Sequence, residues 1–212
     1  GDKLENKPVQ EVLQRVSVLM HRTGLGLDDL EKVLATEFVR GSLRFEIKNR
    51  QKCKTSEMRV LVDLVTLYPA LLDRLHRFVR LHAKLPNWSI EQLDRAIKVC
   101  DGLSELPDAT IPTNPSEQNV IIKQTVINLA IIKRLSEQQS LPLEYLLNLP
   151  ASENNLSQSL GFSVQQFTLL KKMTGLNLSV RPIWVGLEKF CNTIKRIRES
   201  GLSIEQVAAA VL

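Results

Sequence analysis

Along most of the chain, hydrophobic residues recur at intervals of three and four positions, which is the period of an amphipathic helix. Near the C-terminus one such stripe comprises Ile183, Leu187, Phe190, Ile194 and Ile197. An earlier stripe with the same steps comprises Leu71, Leu75, Phe78, His82 and Leu85. Pro69 and Pro182 stand just before these stripes, where the fixed φ of proline suits the first turn of a helix. The pattern therefore predicts a long helix after each of these prolines.

The same periodicity predicts further helices. They lie at about 9–22, 28–37, 55–67, 89–100, 115–138, 142–148 and 163–173. The segment Leu43–Ile47 differs, because it alternates hydrophobic and polar residues with the period of a strand. We therefore predict an all-α chain, built as an irregular array of helical hairpins. The alternating segment forms either one short β-hairpin near residues 42–54 or a loop.

Two segments are copies of one unit, a long helix followed by a turn and a short helix. Leu75–Phe78 aligns with Leu187–Phe190, and Trp88–Leu93 aligns with Leu202–Val207, although the spacing between the two segments differs by two residues. Similar turns recur at 24–30, 140–146 and 161–167. Arrays of helical hairpins build scaffolds and shells more often than catalytic pockets.

Local signals explain why helices stop and start at these turns. A glycine in the left-handed conformation can end one helix. A serine followed three positions later by glutamine can form a capping box at the start of the next. Three junctions carry this pair, as Ser89–Gln92, Ser163–Gln166 and Ser203–Gln206. The large side chains expected to anchor the core are Phe78, Trp88, Trp184 and Phe190.

One segment is suited to connect two halves of the chain. Residues 102–115 hold three prolines and several polar residues, a composition typical of exposed connectors. We therefore predict an N-terminal helical half at 1–101, a connector at 102–115 and a C-terminal helical half at 116–212. The N-terminal half includes a basic insert at 38–54, and the halves form either two domains or one.

Charge identifies one candidate partner-binding segment. The chain carries a net charge of +5, and seven basic residues opposed by two glutamates between Arg40 and Arg59 account for this surplus. The candidate partner-binding residues are Arg40, Arg44, Lys48, Arg50, Lys52 and Lys54. The alternative is a solvated sheet edge whose cations discourage strand pairing. A second basic strip, Arg74, Arg77, Arg80 and Lys84, is either a solvated helix face or a contact for a partner.

Motifs for catalysis and for ligand binding are absent from the sequence. The chain has no glycine-rich phosphate loop, no HExxH, no GxSxG and no CxxC. We therefore predict no catalytic residues, no metal site and no cofactor. His82 is expected to be a hydrogen-bonded histidine in the core, and the cysteines at 53, 100 and 191 are expected to be small buried hydrophobic residues. A helix-turn-helix DNA reader is disfavoured, because the second helices begin with acidic and apolar residues that repel phosphate.

The start of the chain and its hydropathy indicate whether it carries a signal peptide or a membrane span. The polar, charged start of this chain does not have the pattern of a signal peptide. Because it begins with Gly1 and not with methionine, we expect the chain to be a piece of something longer. The most apolar stretch, Val60–Leu72, is interrupted by Asp63 and Pro69 and is too short to cross a bilayer. Composition is that of a soluble globular protein, with 43% hydrophobic and 24% charged residues.

These residues resemble one known family, the A subunits of insecticidal toxin complexes (Tc toxins) and the related virulence plasmid A proteins. The stretch Leu75–Leu85 followed by Trp88–Ile97 is similar to the family pattern L-x-R-F-[IV]-R-L-W-R-K-x-G-W-[ST]-x-x-E-L-D. The chain departs from it at His82 and Ala83, and has Pro86-Asn87 where one glycine is usual. Weaker similarities lie at Cys53–Met58, Ile131–Leu147, Leu169–Leu176 and Ser200–Glu205.

The resemblance implies a structural role and supplies no catalytic residues. Tc A subunits are large homopentameric proteins that form a pore and translocate a toxin carried by other subunits. Their helical segments form an outer shell around a central channel. A shell segment would contact other domains of its own chain and other toxin-complex subunits, without touching the membrane. It would belong to a secreted or cell-surface bacterial toxin, and the isolated piece could be monomeric. The alternative function is a free-standing helical module that binds nucleic acid or an acidic protein through residues 40–59.

Overall fold

The computed structural model describes residues 12, 14–41, 45–49, 57–62, 69–101, 115–138, 141–148, 153–178 and 183–212. Helices dominate these ranges, which confirms the predicted all-α class. The helices are α1 (Val16–Thr23), α2 (Leu27–Ala35), α3 (Glu37–Arg40), α4 (Pro69–Lys84), α5 (Ile90–Asp101), α6 (Pro115–Gln138), α7 (Leu143–Leu147), α8 (Glu153–Ser159), α9 (Val164–Thr174), α10 (Ile183–Ser200) and α11 (Ile204–Val211). The two strands are β1 (Phe45–Lys48) and β2 (Arg59–Val62).

The helix predicted at 55–67 is wrong where the structure describes it, since Arg59–Val62 is a strand. It pairs antiparallel with β1, and Lys48 lies opposite Arg59. Val60 and Val62 are β-branched, which favours the pleated conformation once a partner strand is present. Among the described residues of the predicted hairpin region 42–54, Phe45–Lys48 forms the first strand, and its partner strand lies beyond that region at Arg59–Val62.

The second strand has backbone partners on both sides. The Val60 N–H donates to the Gln14 carbonyl over 2.8 Å, and the Val16 N–H donates to the Met58 carbonyl over 3.3 Å. An isolated bridge also joins Arg15 to Arg59. The helix predicted at 9–22 is therefore interrupted at residues 14–15, which pair with the strand, and α1 begins at Val16. Val12 is helical, and residues 9–11 and 13 lie outside the described residues.

The helix predicted at 28–37 ends at Ala35, because Thr36 leaves the helical conformation. Its backbone is extended, and its hydroxyl accepts a hydrogen bond from the Val39 N–H. This is the geometry of an N-cap, and it starts the short helix α3, which the periodicity did not predict. Helix α8 was likewise not predicted, since Glu153–Ser159 contains one hydrophobic residue, Leu156.

The chain divides into two compact units, Gly1–Arg95 and Ala96–Leu212. In the first, Leu30, Leu71 and Leu93 are fully buried, and the rings of Phe38 and Phe78 lie 6.1 Å apart. In the second, Trp184 and Leu187 are buried, and the rings of Phe167 and Phe190 pack edge to face at 5.4 Å. The predicted anchors Phe78, Trp88, Trp184 and Phe190 are all buried.

Helix α5 begins in the first unit and ends in the second. The predicted connector at 102–115 lies outside the described residues except for Pro115, which begins α6. The proposed boundary there stays a prediction.

Candidate functional site

The described part of the basic segment presents two exposed cations. Arg40 is exposed at the end of α3, and Lys48 is exposed on β1. Within the described ranges, neither forms an ion pair. The other candidate partner-binding residues, Arg44, Arg50, Lys52 and Lys54, lie outside those ranges. Of the six candidate partner-binding residues, the structure therefore shows the exposure of Arg40 and Lys48 only.

The Asn49 side chain forms a hydrogen bond between the end of β1 and the residues just before β2. Asn49 has a left-handed backbone, with φ of 62°, which asparagine tolerates better than most residues. Its Nδ2 donates to the Glu57 carbonyl over 3.1 Å. Arg59, the last basic residue of the segment, is half-buried, and its Nη1 donates to the Met58 carbonyl over 2.9 Å.

The second basic strip is divided by its contacts. Arg77 pairs with Asp73 one turn earlier, Nε to Oδ2 at 2.8 Å, whereas Arg80 and Lys84 are exposed. Arg74 is half-buried and lies against Gly41, where a Cβ would come within 2.6 Å of Nη1. Burial lowers the pKa of Arg74, and its buried Nε has no hydrogen-bond partner among the described residues. Arg74 is thus part of the α3–α4 packing and separate from the exposed end of the strip.

Asp94 joins α5 to the start of α3. Its Oδ2 accepts from the Glu37 N–H at 2.9 Å, and its Oδ1 accepts from the Phe38 N–H at 3.0 Å. Both donors belong to the first turn of a helix, which has no backbone acceptors of its own. Sequence reasoning quoted Asp94 within the family pattern without giving it a role, because a cap supplied by a distant helix leaves no local spacing signal.

The turn between α4 and α5 is held by Trp88 and His82. Trp88 is 7% exposed, and its backbone N–H donates to the Leu85 carbonyl over 3.0 Å. The Nε2 of His82 lies 3.0 Å from the Trp88 carbonyl oxygen, so this nitrogen carries the proton and donates. The prediction that His82 is a hydrogen-bonded histidine is therefore confirmed, although the side chain is half-buried rather than fully in the core.

All three predicted capping boxes form. Each serine Oγ accepts from the glutamine N–H at 3.1–3.2 Å, and each glutamine Oε1 accepts from the serine N–H at 2.8–3.3 Å. In the second unit the boxes of α9 and α11 are linked, since Gln166 Nε2 donates to Glu205 Oε1 over 3.2 Å. Backbone and side-chain hydrogen bonds hold the pKa of Glu205 below its ordinary value.

Two further contacts align α6 in the second unit. Arg134 donates to Glu188 Oε1 through Nε and Nη2, both at 2.7 Å, which connects α6 with α10. Asn128 is fully buried, and its Nδ2 donates to the Cys100 carbonyl near the end of α5 over 3.4 Å. These directional polar contacts oppose sliding of α6 along its own axis, which a stripe of hydrophobic side chains opposes less.

The described residues hold no assembled group of candidate ligands or nucleophiles. They contain no cluster of three or more histidine, cysteine, aspartate or glutamate side chains able to bind a metal ion. Cys100 and Cys191 are buried, and burial raises the pKa of the Cys191 thiol to about 12. Cys53 lies outside the described residues. Within the same ranges, no helix combines the length and the apolar character that a membrane span requires.

Comparison of the chain with protein-family models, with curated proteins and with solved structures finds no match. The family resemblance therefore depends on the motif residues alone.

Proposed function

We propose that this chain is a non-enzymatic helical scaffold, a segment of the outer shell of a Tc-toxin-like bacterial virulence protein that assembles into a pore-forming translocation complex. Its role would depend on packing alone. Helical hairpins would stack through their buried hydrophobic stripes, and the capped turns would fix the angles between successive helices. Its partners would be other domains of the same chain and, in the pentameric parent, other subunits of the complex.

The observation that carries the proposal is what the motif residues do in the fold. Trp88 fills the turn, Ser89 and Gln92 form the capping box, and Asp94 caps a neighbouring helix. The stretch that carries the resemblance thus contributes to packing and to capping the amino ends of helices. Packing and capping roles of this kind are those expected of a scaffold segment.

The second copy of the unit supports the same interpretation. Ile183, Leu187, Phe190, Ile194 and Ile197 are all buried along α10. Ser203 and Gln206 repeat the capping box at the start of α11. The same solution for a turn therefore occurs in both units of the chain, as expected for a hairpin array.

The natural length of the polypeptide tests the proposal. Reading the gene on both sides of this segment should reveal one open frame that continues into channel-forming helices and β-rich receptor-binding modules. Native mass spectrometry of the whole product should then give a pentamer. Start and stop codons close to residues 1 and 212, together with a natural product of this size, would overturn the shell proposal.

A second function, binding of nucleic acid or an acidic protein, is favoured by the exposed cations Arg40 and Lys48. Titration with a single-stranded oligonucleotide and with a glutamate-rich peptide, each at low and high salt, tests it. A surface of this kind should give affinity that falls steeply with salt, and the double variant Arg40→Gln/Lys48→Gln should weaken it. A matched double variant at exposed lysines of the other unit, Lys172→Gln/Lys195→Gln, should leave it unchanged. Lack of binding to both probes at low salt would remove this function.

A further inference from the structure

Helix α3 is a short helix that depends on contacts from outside itself. It has four residues, far fewer than an isolated helix needs to persist in water, because nucleation of the first turn is unfavourable. Val39 nevertheless is fully buried, and Phe38 packs its ring on Phe78 of α4. Something other than its own hydrogen bonds must therefore keep α3 folded.

Side chains of opposite charge lie at its two ends. The Asp94 carboxylate accepts hydrogen bonds from Glu37 and Phe38 at the amino end. The Arg74 guanidinium lies against Gly41 at the carboxyl end. Each sign suits its end, because free N–H groups favour an anion and free carbonyl groups favour a cation.

Gly41 makes the approach of Arg74 feasible. Its φ of 57° and ψ of −131° form a conformation that side-chain-bearing residues rarely adopt. A Cβ at this position would displace Nη1. Both charged side chains come from one hairpin, Arg74 from α4 and Asp94 from α5. The hairpin therefore grips α3 at both ends.

We propose that Asp94 and Arg74 form a clamp that keeps α3 folded, and that loss of either side chain melts α3 as a unit. The proposal goes beyond the scaffold function and does not depend on it. Because Arg40 is the last residue of α3, the clamp would also fix the point from which the basic segment departs. Asp94 and Arg74 are positioning residues in this scheme and bind no ligand themselves.

Amide hydrogen exchange, resolved by residue with NMR, tests the clamp at the end opposite each substitution. Asp94→Asn removes the negative charge and one of the two acceptor oxygens at the amino end. The informative amides are then those of Arg40 and Gly41, which donate to the Thr36 and Glu37 carbonyls. Arg74→Met keeps the aliphatic volume and removes the charge at the carboxyl end, so the informative amides are those of Glu37 and Phe38. We expect exchange at these far-end amides to accelerate by about tenfold or more in Asp94→Asn, the range set by a charged hydrogen bond. In Arg74→Met we expect at least about a twofold acceleration, the range set by a cation near the carboxyl end of a helix.

The matched control is Arg77→Met, which removes an arginine from the same helix whose partner is Asp73 on α4 itself. It should leave the exchange of α3 unchanged. The double variant Asp94→Asn/Arg74→Met should exceed the faster single variant by less than about twofold, since a helix already melted has little left to lose.

Three results would overturn the clamp. In the first, acceleration is confined to the substituted end, which indicates two independent local contacts. In the second, the double variant shows the product of the two single effects. In the third, both single variants lose the whole fold in denaturant titrations, which indicates that α3 is inseparable from the core. None of these results bears on the natural length of the polypeptide, so the shell proposal stands or falls separately.

Discussion

Trp88 and Leu202 occupy equivalent positions in the two copies of the hairpin, yet their environments differ. Trp88 is 7% exposed, whereas Leu202 is 52% exposed. The longer first turn places the indole inward and lets His82 donate to the Trp88 carbonyl. In the second copy Gly201, with φ of 70°, ends the helix instead. Equivalent residues in a repeat therefore need not contribute equally to stability.

Truncation of these two side chains should give different losses. Trp88→Ala removes a large buried side chain and should lower the free energy of unfolding by about 3–5 kcal/mol. Leu202→Ala, its matched control, should change it by about 0.5 kcal/mol or less, as at most exposed positions. Urea denaturation followed by far-UV circular dichroism measures both. Equal losses for the two variants would contradict the assignment of Trp88 as a core anchor.

Cys191 should be chemically inert in the native chain. Its side chain is 1% exposed, and burial raises its pKa to about 12, so the reactive thiolate is scarce near neutral pH. Iodoacetamide at pH 8 should leave Cys191 unmodified for as long as the chain is folded, and should alkylate it in guanidinium chloride. Peptide mass spectrometry measures both states. Rapid alkylation of Cys191 without denaturant would show that α10 opens readily.

At the scale of elements, the sequence predicted those helices whose signals are local. Stripes such as that of α10 and pairs such as Ser203–Gln206 lie within a few turns of chain, so they can be read without knowing the fold. The strand Arg59–Val62 could not be placed in this way, because its conformation depends on residues 14–16 and on β1. A run of valine and leucine is compatible with either a helix or a strand until its neighbours are known.

The candidate site shows the same division. Trp88 and the capping boxes were predicted, because each acts within its own turn. Asp94 and Arg74 were missed in their roles, because each acts on α3 from more than thirty residues away along the chain. Contacts of this length carry no periodicity, and charge alone does not distinguish a capping carboxylate from a solvated one.

The start of α11 should respond to acid. Hydrogen bonds to the ionised Glu205 lower its pKa below the ordinary value of 4.5 in the folded chain. A carboxyl group with a depressed folded pKa contributes stability above its unfolded pKa and loses that contribution as the pH falls through the folded pKa. The wild-type chain should therefore be more stable than Glu205→Gln above pH 4.5, and the difference should vanish in more acidic solution.

Urea titrations of both proteins at a series of pH values between about 3 and 6 measure this difference. The effect should be small, because Glu205 is exposed to solvent that screens its interactions. A stability difference that stays constant across the series would show that the Gln166–Glu205 hydrogen bond does not depend on the charge of the carboxylate.

At the scale of the whole molecule, helix α5 is the element that both units share. Leu93, in the part of α5 that belongs to the first unit, is fully buried, and Ile97, in the part that belongs to the second, is 2% exposed. The helix runs through the division between Arg95 and Ala96 without a break. We therefore expect α5 to couple the unfolding of the two units.

A proline within α5 should expose this coupling. Ala96→Pro removes a helical hydrogen bond and introduces a steric clash with the preceding turn, which costs about 3 kcal/mol or more. Trp88 reports on the first unit and Trp184 on the second, and the chain has no other tryptophan. In the Trp88→Phe and Trp184→Phe backgrounds, the substitution should lower both unfolding midpoints. A lower midpoint for one tryptophan alone would show that the units unfold independently.

The capping boxes also bear on how such a chain can change in length during evolution. Each box occupies four consecutive residues and completes its hydrogen bonds within them. Residues added upstream move the box without altering it, as the two hairpins show: five residues separate α4 from α5, whereas three separate α10 from α11. Insertions and deletions at these turns therefore preserve the start of the next helix. A whole hairpin can be added or lost at such a turn while the capping box of the following helix still forms.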